Sequence, residues 1–301
     1  LLEPQLAAER QITRVHAQQL VDAVRQISER GGGLIDADTY TTPQSYELAL
    51  LAAGSCCLAV DKIMSGEAKN GLALVRPPGH HAGRGRAGGF CLFNNIAVAA
   101  RQAQAAHHVQ RVLIVDIDVH HGNGTQDIFY DDGDVMFASL HLYHPFFYPG
   151  TGGINEIGSG NGRGKTLNVP FPPHVGDSGY RQTFEQILLP CARQFEPELV
   201  LVSIGFDAHW QDPLASAAVS LEGYATMVRL LLELAADVCD DRILFVLEGG
   251  YLLEALRYGV LNLVYALLGR DNFADPLGVM ATQEEDISEL LIRLRQLHLL
   301  N

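Results

Sequence analysis

In the stretch RVLIVDIDVHHGNG, residues 111–124, an apolar run of strand character ends in Asp116, Asp118, His120 and His121. Side chains alternate along an extended chain, so Asp116, Asp118 and His120 share one side, and Ile117, Val119 and His121 the other. Carboxylates beside a buried strand are costly unless a cation or hydrogen-bond donors compensate them. A divalent metal does so. Asp118 and His120, joined by Asp207 from a separate apolar run, supply three protein ligands and leave a fourth position open for water. That is the pattern of a catalytic rather than a structural zinc site. Two Asp and one His also suit ferrous iron. His121 points the other way and is assigned a structural role. A second group, His80 and His81, follows RPPG, whose prolines and glycine fix a rigid turn. Adjacent imidazoles are more often packed or exposed than catalytic, but a pair suits acid–base work because one ring can hold the proton that the other lacks.

Other elements must bring these groups together. Apolar runs rich in Val, Ile and Leu occupy 71–79, 111–118, 134–141, 198–207 and 242–251. Runs apolar on both faces suit the interior of a parallel sheet. Helical patterns lie between them at 94–108, where Asn94 or Asn95 can cap the start, at 178–196 and at 221–239. Residues 5–29 read as one further amphipathic helix and 284–300 as a last one. Strand then helix, repeated, gives an α/β fold: a single domain over 1–301 with a central, mostly parallel sheet flanked by helices on both faces. Ligands of such a sheet bind beyond the carboxyl ends of its strands. Four runs deliver polar residues there: His80 and His81; Asp116, Asp118 and His120; Asp207; and Tyr251 after a glycine pair. A salt bridge or cap would account for Asp118 alone, but not for acids, histidines and a tyrosine aimed at one rim from four strands.

The formal net charge of -14 disfavours direct binding to nucleic acid or anionic membrane and is compatible with cationic substrates. Cys56, Cys57, Cys91, Cys191 and Cys239 contain no CxxC pair and read as buried apolar groups in a reducing, cytoplasmic compartment. No run approaches the ~18 apolar residues of a membrane span, and no secretory signal opens the chain. The first residue, Leu1, suggests a fragment. The glycine-rich run 148–166 lacks GxxxxGKS/T spacing and reads as a functional or mobile loop rather than a phosphate loop.

RPPGHHA, GGFCLFNNIAVAA, DIDVHHGNGTQDIF, SLH, PGTG, GFDAHWQDPLA and LEGGY occur in this order. Together they resemble the zinc-dependent histone deacetylase family, within the arginase/deacetylase fold, and are more like its class II and bacterial members. The resemblance covers about residues 10–270. It implies that Asp118, His120 and Asp207 match the metal ligands. His81 matches the general base toward the attacking water, and His80 its partner in protonating the leaving amine. Asp116 matches the carboxylate that orients His80, and Asn123 stands where the group orienting His81 would be. First-class members carry aspartate there, so His81 is expected to be less basic here. Tyr251 matches the hydroxyl that polarises the substrate carbonyl and steadies the oxyanion. The family also implies a structural potassium ion at Asp116, Asp118, His120, Ser139 and Leu140.

Gly89 and Phe90 match one wall of an acyl-lysine tunnel, and Tyr148, where phenylalanine is usual, matches the other, with Phe147 beside it. Leu214 stands near the place where related polyamine deacetylases put an acidic gatekeeper, so acyl-lysine in a peptide or protein is favoured over acetylpolyamine. The family's N-terminal strand and HPE-like loop find no match, which bears on stability, oligomeric contacts and substrate selection; an oligomer is compatible with the sequence. Ser45 stands near the rim aspartate with which some members hold a peptide backbone.

Metal-dependent hydrolysis of an Nε-acyl-lysine amide is the function these residues point to. An acetylpolyamine amidohydrolase is the alternative. A non-catalytic binding module on the same fold would be favoured by lost ligands or a lost tyrosine, and neither is lost. An arginase-like ureohydrolase would need aspartates bridging two manganese ions, where this chain offers one ligand set.

Overall fold

Side chains that alternate along fully buried strands build a core on each face of a sheet. The computed structural model of the chain describes residues 1–144 and 146–299. Strands β1 (Gly33–Leu34) and β2 (Tyr40–Thr41) form a small antiparallel ladder. Strands β3 (Asn70–Ala73), β4 (Val112–Asp116), β5 (Val135–Leu142), β6 (Thr166–Phe171), β7 (Leu199–Ile204) and β8 (Ile243–Leu247) form one parallel sheet in the order β3-β8-β7-β4-β5-β6. The helices are α1 (Glu9–Ile12), α2 (Gln18–Glu29), α3 (Ser45–Met64), α4 (Asn95–His107), α5 (Asn123–Phe129), α6 (Asp177–Thr183), α7 (Leu189–Phe195), α8 (Leu221–Val238), α9 (Leu253–Leu267) and α10 (Ser288–Leu297). A π-type turn, Phe184–Leu188, joins α6 to α7, so this stretch runs as one rod close to the predicted 178–196.

Val112, Ile114, Leu199, Leu201, Leu244 and Val246 pack into one core with residues of α2, α3 and α4. Their neighbours along the same strands, Leu113, Val115, Val200, Val202, Ile243 and Phe245, pack into the other with residues of α7, α8 and α10. The parallel sheet with helices on both faces is therefore as expected from the sequence. Among the described residues no helix is long and apolar enough to cross a membrane.

Element boundaries differ where polar contacts take over. The run at 71–79 is strand only to Ala73, because RPPG cannot supply a continuous set of ladder donors. The helix expected over 5–29 is two, α1 and α2. Between them the Ala17 N–H donates to the Arg84 carbonyl at 2.7 Å and the His16 ring bonds the Gly83 carbonyl at 2.9 Å, so this segment braces a distant turn. Helices α3 and α9 carry no mark in the sequence reading: α3 is apolar over most of its surface, which erases the amphipathic period. Strand β6 follows directly on the glycine-rich run and was also missed. The last helix is confined to Ser288–Leu297, and Leu300 of the expected 284–300 lies outside the described residues.

Strands β4 and β7 are neighbours, but the chain leaves β4 toward β5 on one side and β7 toward β8 on the other. Loops diverge at such a reversal and leave a crevice at the carboxyl ends. Helix α9 covers this edge through Gly259, where an added methyl would lie 2.3 Å from the Phe206 ring, the residue before Asp207. Gly259→Ala sets a helix-propensity gain of about 1 kcal/mol against overpacking of a buried ring, which costs about 1–3 kcal/mol. The clash should win, with thermal unfolding at lower temperature than wild type. A variant that melts at or above the wild-type temperature would show that Phe206 has room to yield.

Candidate active site

Beyond Asp116 the chain leaves the sheet but keeps its alternation. Ile117 and Val119 enter the core, while Asp118 and His120 face Asp207. The ligand atoms of these three residues all lie within 4.8 Å of one another. His120 Nδ1 is 3.0 Å from Asp118 Oδ1 and 3.3 Å from Asp207 Oδ2. Backbone donors fix the acids: the Gly249 N–H donates to Asp118 Oδ2 at 2.8 Å, the His120 N–H to Asp118 Oδ1 at 2.9 Å and the Val119 N–H to Asp207 Oδ1 at 3.0 Å. Among the described residues nothing donates a well-aligned hydrogen bond to the buried Asp207 Oδ2. Burial, with the Asp118 charge added, pushes Asp207 up to about 6. Burial acts on Asp118 in the same direction, but His80 and His120 outweigh it and hold that carboxyl below the usual range. An unfilled buried acceptor beside an imidazole nitrogen and a second acid is a donor set that fits a divalent cation such as zinc or ferrous iron.

The histidine pair sits on a turn clamped from several sides. Glu248 Oε2 accepts from the backbone N–H groups of Gly79 at 2.7 Å and His80 at 3.2 Å, and its Oε1 from the Ser203 hydroxyl at 3.0 Å. Asn95 donates to the Pro77 carbonyl and Asn94 to the Ala82 carbonyl, both at 3.0 Å. Asn94 also caps α4 by accepting from the Ala97 N–H. The His16 ring accepts the Asn94 N–H at Nε2, which leaves its Nδ1 to donate to Gly83. Burial pushes this ring down to about 4, so it stays neutral.

The His80 and His81 rings lie 3.9 Å apart. His80 Nδ1 is 3.0 Å from Asp116 Oδ2, and His81 Nδ1 is 2.7 Å from Asn123 Oδ1. An amide oxygen only accepts, so His81 Nδ1 donates and Nε2 keeps its lone pair. Burial works against a charged His80, but Asp116, Asp118 and Glu248 overcome it and raise that ring well above its ordinary value. For His81, burial and the neighbouring His80 and His120 all act downward. One ring of the pair is driven to hold a proton and the other to lack it.

A cavity of about 350 Å³ leads to these groups and is lined by Gly89, Phe90, Tyr148, Leu214, Tyr251 and, at its mouth, Asp38. Tyr148 meets His81 edge-on at 4.8 Å, and Phe147 stacks on His120 at 4.8 Å. Phe90 and Tyr251 meet edge to face, with ring centroids 6.2 Å apart. Burial, with Asp118 and Asp207 nearby, raises the Tyr251 hydroxyl far above the usual phenol range, so it remains a donor. His80, His81, His120, Gly89, Phe90, Tyr148, Leu214 and Tyr251 line this one cavity, and Asp118 and Asp207 lie behind it against His120. Ser139 pairs in register with Asp116, and Leu140 follows it fully buried.

His121 bonds Thr151 Oγ1 at 2.8 Å and Gln126 Oε1 at 3.1 Å, in keeping with its structural role. The glycine-rich run is tied down in part, Glu156 Oε1 accepting from Gly152 and Gly153. Ser45 is not at the mouth: its hydroxyl accepts the Thr42 N–H at the start of α3. An acid that does line the mouth is Asp38, in the loop between β1 and β2, and two-residue strands leave too little periodicity to be seen in a sequence. Glu248 and Asp212 were also missed, although both lie inside quoted motifs, LEGGY and DPL.

Residues 1–267 match a family model described as a histone deacetylase domain, and the chain belongs to the histone deacetylase family. It is 44% identical over 262 residues to Histone deacetylase 14, chloroplastic, of Arabidopsis thaliana, covering 85% of this chain and 62% of that protein. The chain therefore spans less than two thirds of this relative's length. It is 42% identical over 274 residues to Polyamine deacetylase HDAC10 of Homo sapiens, covering 87% of this chain and 40% of the human protein. A crystal structure of the HDA15 HD domain superposes with a TM-score of 0.91 at 40% identity, covering 99% of this chain and 80% of that one.

Gly249 leaves no room for a side chain: a methyl there would lie 2.2 Å from Asp207 Oδ2 and 2.7 Å from Asp118 Oδ2. Gly249→Ala should fold yet bind zinc roughly 10- to 100-fold more weakly, the range seen when groups that orient ligands are disturbed. Competition with a chromogenic chelator measures this. Wild-type affinity would mean that the two acids do not converge on a metal.

Proposed function

We propose that the chain is a metal-dependent amidohydrolase that removes acetyl or other short acyl groups from the side-chain amine of lysine in peptides or proteins. The observation that carries this reading is geometric: the Asp118–His120–Asp207 set lies beside a cavity lined by a histidine pair and Tyr251, the two imidazoles having unequal partners in Asp116 and Asn123. A divalent ion held by the three ligands would polarise the amide carbonyl and acidify a water. Tyr251 donates to the carbonyl oxygen as negative charge grows on it. His81 Nε2 takes the water's proton, and Asn123, accepting from Nδ1, keeps that lone pair aimed. His80, kept cationic beside Asp116, supplies the proton for the departing amine.

Phe90 and Tyr148 flank the acyl-lysine stem and exclude water from it, with Gly89 keeping the wall thin between them. Asp38 is placed to accept a backbone N–H of a bound peptide, the part looked for at Ser45. A structural potassium ion at Asp116, Asp118, His120, Ser139 and Leu140 would balance the buried acids. All five cysteines are free and buried, which supports a reducing, cytoplasmic setting.

A second reading, deacetylation of an acetylpolyamine, draws on the human relative and on the acid at the cavity mouth. Against it stands Leu214, 50% exposed at that mouth, which offers a distal ammonium no charge. Acetyl-lysine peptide should therefore turn over faster than acetylspermidine in a side-by-side assay with zinc and with iron, and the opposite order would transfer the assignment to polyamines. Tyr251→Phe should lose about 10²–10³ in kcat, the scale of one oxyanion donor, while binding metal normally; full activity would remove Tyr251 from the mechanism. Asp207→Ala should abolish metal retention, and unchanged zinc content would refute its place in the ligand set.

A further inference from the structure

Local structure does little to fix Tyr251. It follows Gly250, whose φ of 128° gives the chain an unusual bend, and precedes Leu252, the cap of α9, which makes no side-chain capping bond. A hydroxyl that must track a reacting oxygen needs firmer support. The support comes from a distant segment. Asp212 Oδ2 accepts the Tyr251 N–H at 2.8 Å and the Leu252 N–H at 3.2 Å. Its Oδ1 accepts the Leu214 N–H at 3.0 Å. The Asp212 residue is 5% exposed, so little water competes, and hydrogen bonds to an ionised acceptor are roughly twice as strong as neutral ones.

An aspartate that only shaped its own turn would need the Leu214 bond alone. The second oxygen reaches across to the turn that carries Tyr251 and places negative charge near the positive end of α9. We infer that Asp212 is a positioning residue that sets the Tyr251 hydroxyl over the reacting carbonyl and locks it to the Leu214 side of the tunnel mouth. The inference rests on the role proposed above for Tyr251. One short segment then supplies a ligand at Asp207, the tyrosine's anchor at Asp212 and the mouth residue Leu214.

The test is a double-mutant cycle with zinc-loaded protein and a fluorogenic acetyl-lysine peptide. Asp212→Asn has the same shape but only one accepting oxygen, so it cannot satisfy both sides. Its kcat should fall roughly 10- to 100-fold, as a misplaced catalytic group does, with KM and zinc content near wild type. In a Tyr251→Phe background the same substitution should cost less than about threefold, because groups acting through one another are not additive. Equal losses in both backgrounds would make Asp212 a general structural residue and overturn the inference, as would a wild-type kcat in Asp212→Asn. Asp212→Ser, which keeps one oxygen, serves the same cycle if Asp212→Asn does not fold.

Failure of the parent reading looks different: no turnover by wild type with zinc or iron, or full turnover by Tyr251→Phe. A crystal structure of the Asp212 variant decides independently of turnover. Tyr251 should be displaced while Asp118, His120 and Asp207 hold their places, and an unmoved Tyr251 overturns the proposal.

Discussion

Asp118 and Asp207 are 1% and 0% exposed and face a single imidazole nitrogen, and this buried negative charge is the constraint to which the rest of the site answers. Taking a carboxylate out of water costs several kcal/mol even after the protein relaxes. Backbone N–H groups of Gly249, His120 and Val119 satisfy three of the four oxygens, and Asp207 Oδ2 remains for something else. An apolar core of the same volume would be as stable or more so. The charge persists at the carboxyl edge of a sheet whose strands β4, β5, β7 and β8 are buried at every residue, and that packing carries the cost.

The same device recurs around the crevice. A buried acid on one segment accepts the backbone N–H groups of a turn that carries a different reactive side chain. Asp118 holds Gly249, Glu248 holds Gly79 and His80, Asp207 holds Val119, and Asp212 holds Tyr251 and Leu252. Each acid is thus both part of the polar site and a brace for its neighbour's loop. Five buried or half-buried carboxyls, Asp116 included, knit the ends of β4, β7 and β8 and the His80–His81 turn into one unit. Such mutual support resists the small displacements to which positioned catalytic groups are sensitive, and it ties the order of each loop to the ionised state of an acid on another.

Much of this was legible in the sequence because two patterns survive there. Strands buried on both faces leave continuous apolar runs, and polar residues that end several such runs are conspicuous. Asp118, His120, Asp207, His80, His81 and Tyr251 group together in the sequence for that reason. What stayed hidden lacked a period. Helix α3 is too uniformly apolar to show a face, β1 and β2 are too short to alternate, and the proline-rich turn ends β3 early. Glu248 and Asp212 were in plain view within motifs, but their work is done toward backbone N–H groups far along the chain. A sequence names side chains and is silent about which distant amides they will meet.

The unequal partners of His80 and His81 follow from the same electrostatics. Two imidazolium rings with centroids 3.9 Å apart would repel by about 4 kcal/mol at an effective dielectric of 20, so the pair has reason to hold one proton rather than two. Asp116 beside His80 decides where that proton sits. Asn123 beside His81 steers the ring through the same nitrogen but cannot stabilise its charged form as a carboxylate would. An acid at that position would make His81 more basic and would also add a further negative charge to a region that already holds Asp116, Asp118, Asp207 and Glu248, all at or below 1% exposure. With an amide there, orientation is obtained without more buried charge, and the two rings are biased toward opposite protonation states, which is what the proposed acid and base require.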